Sequence, residues 1–228
     1  YFSEDPTVAG IIAAAMTNGV QKLPGVGTTI KHFACNNQED ERFVTDAIVS
    51  ERALREIYLK GFEMVVKSGY CDSVMTTYGR VNGIWTAGHY DLVTGILRDE
   101  WGFKGMVITD QASVPSMFYQ DMLSGLWAGC DMWLNTSSDY WSLESVKADK
   151  TMQYYIHRAA KNIVYSVTNS WAVNESYKKV GDKTIENTST SFAWRPLLWS
   201  IDGVVWASTI ALGCLTVVVF LTGKKKED

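Results

Sequence analysis

The sequence has no basic field. Lysine and arginine number 21 against 25 acidic residues, for a net charge of −4. Phosphate binding needs clustered cations, so nucleic acid is excluded as a partner. Cysteine is scarce and badly spaced for chemistry. Cys35, Cys71, Cys130 and Cys214 form no CxxC or related ligand pattern, which leaves neither a zinc site nor a redox pair. Cys214 lies in an apolar run, apart from the others, and the chain reads as poor in disulfides. The N-terminus, Tyr1-Phe2-Ser3-Glu4-Asp5-Pro6, has no initiator Met, no basic leader and no apolar leader segment. Because the C-terminus carries a membrane-type run, the expectation is that further polypeptide precedes this stretch.

What is present is an ordinary globular mixture, 46% hydrophobic and 20% charged, with nine Trp and eleven Tyr. Helical and strand patterns alternate. Asp5-Pro6 reads as an N-cap followed by proline in the first turn, opening a helix to about Gln21. Gly27 to Ala34 is β-rich. Ser50 caps a long helix, Glu51 to Lys67, with Leu54, Ile57, Phe62 and Val65 near 3.6 spacing. Strands follow at Asp72–Tyr78, at Met106-Val107-Ile108 running into Thr109-Asp110, and at Asp131–Asn135. Helices are predicted at Tyr90–Glu100, Pro115–Trp127 and Thr151–Asn169. Four β/α units in series imply an α/β fold with parallel strands, either an open sheet or half of an eight-unit barrel.

Beyond Trp171 the pattern breaks. Residues 172–198 read as a polar linker. Gly203 to Gly223 contains 21 residues and no charge, long enough at roughly 1.5 Å per residue to cross about 30 Å of hydrocarbon. Trp194, Trp199 and Trp206 suit one interface and Lys224-Lys225-Lys226 the other. Residues 199–223 are therefore expected to form a single transmembrane helix, with Lys224–Asp228 cytoplasmic and residues 1–171 extracellular.

Three predicted strands end on polar residues: Lys31-His32, Tyr78 and Asp110. In β/α barrels the active site is built at that end of the strands. A carboxylate straight after a buried strand needs compensation, which Lys31 would provide, although a helix N-cap is an equally good role for Asp110. His32 is by itself more often structural than catalytic. Asn36, Asn37, Gln38, Glu39 and Asp40 make a dense polar loop, either a capped turn or a set of ligand contacts. Glu39 is available as a second carboxylate, but nothing in the spacing requires it.

These residues carry a resemblance. Lys31-His32-Phe33-Ala34-Cys35-Asn36-Asn37-Gln38-Glu39 resembles the KHFxxNNQE segment of family 3 β-glucosidases. Ser50-Glu51-Arg52-Ala53-Leu54-Arg55-Glu56-Ile57-Tyr58 is similar to SERTLREIYL. Val74-Met75-Thr76-Thr77-Tyr78-Gly79-Arg80-Val81-Asn82-Gly83 resembles VMSSYNRVNG, and Leu97 to Asp110 resembles LRDEWGFxGxVxSD. The likeness covers roughly residues 1–170, in order, and its opening segment matches the middle of the family's barrel.

The resemblance implies a partial (β/α)8 barrel, about strands five to eight, with the first four units missing. It implies retaining hydrolysis of terminal β-glycosidic bonds with Asp110 as nucleophile. Lys31 and His32 would bind the glycone hydroxyls, and Met75 and Tyr78 would line the same subsite. The substrate is then a β-linked oligosaccharide or glycoside, with no cofactor and no metal. Two departures stand out. Gln111 replaces the tryptophan that usually follows the nucleophile, and no acid/base glutamate is assignable. Two other readings are a membrane-anchored carbohydrate-binding remnant, to which Gln111 points, and an anchoring segment in which the barrel is only scaffold.

Overall fold

The structure is a computed structural model, and it describes residues 2–68, 71–112, 120–134, 149–170, 179–180 and 183–184. Its contacts divide the chain into Tyr1–Thr184 and Ile185–Asp228, and every described residue falls in the first unit. The expected membrane span 199–223, the tail 224–228 and most of the linker 172–198 lie outside the described residues. Among the described residues no helix is long and apolar enough to cross a membrane.

Helix α1 (Pro6–Val20) starts as the sequence predicts. The Asp5 carboxylate accepts from the backbone N–H of Thr7 and Val8, and Pro6 occupies the first turn. Four parallel strands follow: β1 (Thr29–Phe33), β3 (Ser73–Thr76), β6 (Met106–Gln111) and β7 (Met132–Leu134), hydrogen-bonded in the order β1-β3-β6-β7. Parallel pairing needs a crossover between neighbours. Between β1 and β3 it is α2 (Glu51–Ala53), a π-helical turn (Leu54–Tyr58) and α3 (Lys60–Lys67). Between β3 and β6 it is a π-helical segment, Asp91–Glu100. Between β6 and β7 it is α4 (Met122–Ala128), and α5 (Lys150–Thr168) follows β7.

Two expected helices need correction. The long helix over Glu51–Lys67 exists, but its π turn holds one more residue than an α-turn and rotates the face beyond it. Ile57, expected on the core side, is 49% exposed, while Leu59 is 1% exposed. Of the helix expected over Pro115–Trp127, residues 115–119 lie outside the described residues, and within the rest α4 begins at Met122. Asp121 has extended backbone and its carboxylate accepts from Ser124 N at 2.8 Å, so the cap fixes the start there.

A smaller sheet lies outside the sequence reading. It joins β2 (Asp46–Ala47), β4 (Arg80–Val81) and β5 (Ile84–Trp85) in the order β2-β4-β5. Strands β4 and β5 form a hairpin around Asn82-Gly83, both at positive φ (50° and 89°), as a two-residue primed turn requires. The Asn82 side chain also clasps Val49, accepting from its N–H and donating to its C=O. A two-stranded ladder, β8 (Lys179–Val180) with β9 (Lys183–Thr184), falls within the expected linker.

The main sheet is covered by helices on one face. Phe33, Val74, Thr76, Val107 and Thr109 are fully buried. Phe33, Val74 and Val107 form the core with Leu59, Leu92, Val93, Leu97 and Phe103. Phe33 anchors it, in edge contact with Phe62 (5.2 Å) and Trp101 (6.1 Å). The alternate residues Met75, Met106, Ile108 and Met132 are only half-buried. Met75 and Met132 both pair with Ile108, so these side chains share the opposite face, which leads at its C-terminal end to Asp110.

Candidate active site

The parallel strands bring the C-terminal ends of β1, β3 and β6 together. Asp110 lies on β6 with its side chain 13% exposed. It is part of the strand and caps no described helix; that role falls to Asp121 on α4. The backbone on either side is held by β7: Leu134 N donates to the Thr109 hydroxyl at 3.1 Å, and Ala112 N to Leu134 O at 2.8 Å. One carboxylate oxygen, Oδ1, accepts from Gln111 N at 2.8 Å. The other, Oδ2, stands 3.2 Å from His32 Nε2.

His32 reaches that position from an irregular end of β1. The register with β3 shifts between Ile30 and Phe33. Strict alternation therefore does not govern these residues. The charge expected from Lys31 beside Asp110 is not its described contact; His32 makes that contact. Lys31 is exposed, and its charge is felt at the His32 imidazole.

A histidine beside a carboxylate ordinarily gains proton affinity. Here the balance goes the other way. Burial lowers the His32 pKa most, Asp110 raises it, Lys31 and Arg42 lower it, and Glu39 raises it, for a net fall from 6.5. The 3.2 Å contact is thus a hydrogen bond from a neutral imidazole to a carboxylate rather than an ion pair.

Tyr78 completes the group. It follows β3 in a segment pinned at Thr77, whose carbonyl accepts from Trp85 Nε1 (3.2 Å) and the Thr86 hydroxyl (3.0 Å). Burial, the charge of Asp110 and a hydrogen bond to Asp110 all raise the Tyr78 pKa, so its phenol is a firm donor. Met75 stands one strand away from Ile108 on the same sheet face. Three of the five expected residues, His32, Tyr78 and Asp110, therefore meet, and Met75 lies on the same sheet face beside Ile108. Lys31 lies beside them on β1, turned towards solvent.

The contacts described for the polar loop are those of a folded turn. Gln38 Nε2 donates to Asp40 O (2.9 Å) and the Thr45 hydroxyl (3.2 Å), which folds the loop on itself. The Glu39 carboxylate is bound by Arg42 at 3.0 Å and is 65% exposed. Asn36 instead turns inward, its Nδ2 3.5 Å from His32 Nδ1.

Sequence reasoning missed Arg42 and Phe43. The Arg42 guanidinium lies over the Tyr78 ring (4.9 Å) and the Phe43 ring (5.2 Å), and Phe43 meets Tyr78 edge-on at 4.9 Å. The available signal was a single cation beside an aromatic, immediately after the acidic run Glu39-Asp40-Glu41. Among the described residues no three His, Cys, Asp or Glu side chains gather in a way that would hold a metal. Cys35, Cys71 and Cys130 are free thiols. Burial pushes Cys35 and Cys71 up to about 11 and raises Cys130 further, so none is a nucleophile at neutral pH.

Residues 1–165 match the family model described as "Glycosyl hydrolase family 3 N terminal domain". The chain belongs to glycosyl hydrolase family 3. Its relatives include a β-glucosidase of Ruminococcus albus, 59% identical over 110 residues, which are 48% of this chain and 12% of that protein. Thermostable β-glucosidase B of Acetivibrio thermocellus is 41% identical over 167 residues, 72% of this chain and 21% of its own length. An exo-α-(1→6)-L-arabinopyranosidase of Bifidobacterium longum is 51% identical over 110 residues, 48% of this chain and 14% of that protein.

Among solved structures, β-glucosidase 3B from Thermotoga neapolitana in complex with α-D-glucose superposes with a TM-score of 0.68. It is 36% identical, and the match covers 78% of this chain and 25% of that one. The family 3 β-glucosidase of Bifidobacterium adolescentis gives 0.70 at 36% identity, over 82% and 26%. This family 3 chain therefore spans an eighth to a quarter of the length of these relatives.

Proposed function

We propose that this chain supplies the nucleophile and part of the glycone subsite of a retaining β-glycosidase whose remaining parts lie on a longer polypeptide. The observation that carries the reading is the convergence of His32, Tyr78 and Gln111 N–H on Asp110 at the C-terminal ends of parallel strands. Similarity to proteins named β-glucosidases supports the substrate class.

In the reaction, ionised Asp110 attacks the anomeric carbon and forms a glycosyl ester as the leaving oxygen takes a proton from an acid. Water, activated by the conjugate base of that acid, then releases the sugar. The neutral His32 imidazole and the Tyr78 phenol steer the Asp110 carboxylate and bind sugar hydroxyls, and Lys31, on the solvent side of the same strand end, adds a cation at the rim. Such bonds aid catalysis where they strengthen as the ring flattens towards the oxocarbenium ion. Met75 lines the apolar side of the subsite. The mechanism requires a second carboxyl group about 5–5.5 Å from the first. Glu39 is paired with Arg42, and no carboxyl group among the described residues is assigned as the acid. Membrane attachment through residues 199–223, with the body outside and Lys224–Asp228 in the cytoplasm, belongs to the same proposal and rests on the uncharged span and its lysine flank.

A second reading, a carbohydrate-binding remnant without turnover, is favoured by Gln111 beside Asp110. Kinetics of the full-length polypeptide separate the two. Asp110→Asn in an active enzyme is expected to reduce kcat/KM for an aryl β-glucoside by at least about 10³-fold, equivalent to about 4 kcal/mol of transition-state stabilisation. Binding of glucose without measurable turnover in the wild type supports the remnant instead.

A further inference from the structure

We infer that Asn36 is a positioning residue that sets the protonation form of His32, holding it as the neutral tautomer whose Nε2–H donates to Asp110. The inference rests on the assignment of Asp110 as nucleophile and adds to it a residue acting at one remove.

The argument is a count of donors and acceptors. An ionised carboxylate only accepts, so the 3.2 Å contact from Asp110 Oδ2 to His32 Nε2 requires a hydrogen on Nε2. The form of the ring is then decided at Nδ1. An unprotonated Nδ1 is an acceptor, and a protonated one makes the ring an imidazolium. The atom facing Nδ1 is Asn36 Nδ2, at 3.5 Å. An amide nitrogen only donates, so it suits the bare Nδ1 and opposes the protonated one. Asn36 sits where the chain leaves β1, just after Cys35, whose φ of 64° turns the backbone. Four residues after His32, it reaches back to the far side of the same ring.

The surrounding charges do not decide the matter without it. Asp110 on β6 and Glu39 on the loop favour the imidazolium, Lys31 on β1 and Arg42 on the loop oppose it, and Tyr78 after β3 is neutral. Burial tips the balance towards the neutral ring, and the Asn36 amide facing Nδ1 holds that nitrogen bare. The chemical consequence concerns Asp110. An imidazolium at this distance would hold the carboxylate in an ion pair and weaken it as a nucleophile. A neutral donor orients the carboxylate and leaves its charge available. It also leaves His32 able to transfer its hydrogen bond to a sugar hydroxyl without separating opposite charges.

The test is nitrogen NMR of the protein carrying ¹⁵N-histidine, with the His32 signals assigned from His32→Gln. At pH 6.5 the wild type is expected to show Nε2 protonated and Nδ1 bare. Asn36→Asp keeps the shape and replaces the donor with an acceptor. It should convert His32 to the imidazolium at that pH, and Asn36→Ala should leave a mixture of the neutral ring and the imidazolium. In the full-length enzyme, Asn36→Asp should move the acid limb of kcat/KM upward by about one pH unit, as a new carboxylate partner does for a histidine. A wild-type ring already doubly protonated at pH 6.5, or a tautomer indifferent to both substitutions, overturns the inference. Absence of turnover in every form, with the tautomer behaving as described, counts against the glycosidase reading and leaves the role of Asn36 standing.

Discussion

Asp131 has no exposed side-chain surface, yet it accepts from Arg98 Nη2 at 2.6 Å, from Val107 N at 2.8 Å and from Asn162 Nδ2 at 2.9 Å. Burial raises its pKa, and these three donors offset only part of the rise. The Arg98 side chain, 12% exposed, also donates to the carbonyls of Gly105 and Gly129. This node ties β6, β7 and α5 together at the start of the strands, the opposite end from Asp110. Asp131→Ala would strand a buried guanidinium, and the expected loss is about 3–5 kcal/mol of stability. A chemical-denaturation midpoint measures it, and a loss under about 1 kcal/mol would remove Asp131 from this role. Such a node was not legible in the sequence, because its members are dozens of positions apart and none belongs to a local motif. The Asp110 site was more legible, since strand-end polar residues announce themselves by following apolar runs. Within it, the exchange of Lys31 for His32 as the described partner of Asp110 depends on an irregular strand end that alternation rules do not anticipate.

At the scale of elements, the caps at Asp5 and Ser50 were readable, while those at Asp121 and Asp149 were not singled out. Asp5, Ser50 and Asp149 each accept from backbone N–H groups in the first turn of a helix. For α5, Asp149 Oδ1 takes Thr151 N at 2.8 Å and Met152 N at 3.3 Å. Asp149→Ala should cost about 1 kcal/mol, seen as a lower melting temperature with unchanged strand signal, and a neutral result would mean that packing alone starts the helix. The cap at Asp121 was not read, because the apolar spacing on either side of it resembles a continuous helix. The π turns were invisible for a related reason. A turn with an extra residue leaves composition untouched while rotating the exposed side, as Ile57 and Leu59 record. The hairpin at Asn82-Gly83 was present in the sequence as an Asn-Gly pair, but its flanking strands are two residues each, too short for a period to register.

For the whole molecule, the described sheet has a covered face and a half-buried one, with β1 and β7 at its edges. Parallel sheets are normally covered on both faces. Met75, Ile108 and Met132 on the open face are the side chains a closed barrel would bury. The α/β class and the parallel order were readable from alternating patterns, and the family from its motifs. The central claim concerns one atom group, the Asp110 carboxylate. Its most direct test is to incubate the full-length polypeptide with a 2-deoxy-2-fluoro β-glucoside and map the labelled peptide by mass spectrometry. The account predicts a covalent glycosyl adduct on Asp110. An adduct on Glu39, or steady hydrolysis with Asp110 unlabelled, would contradict it.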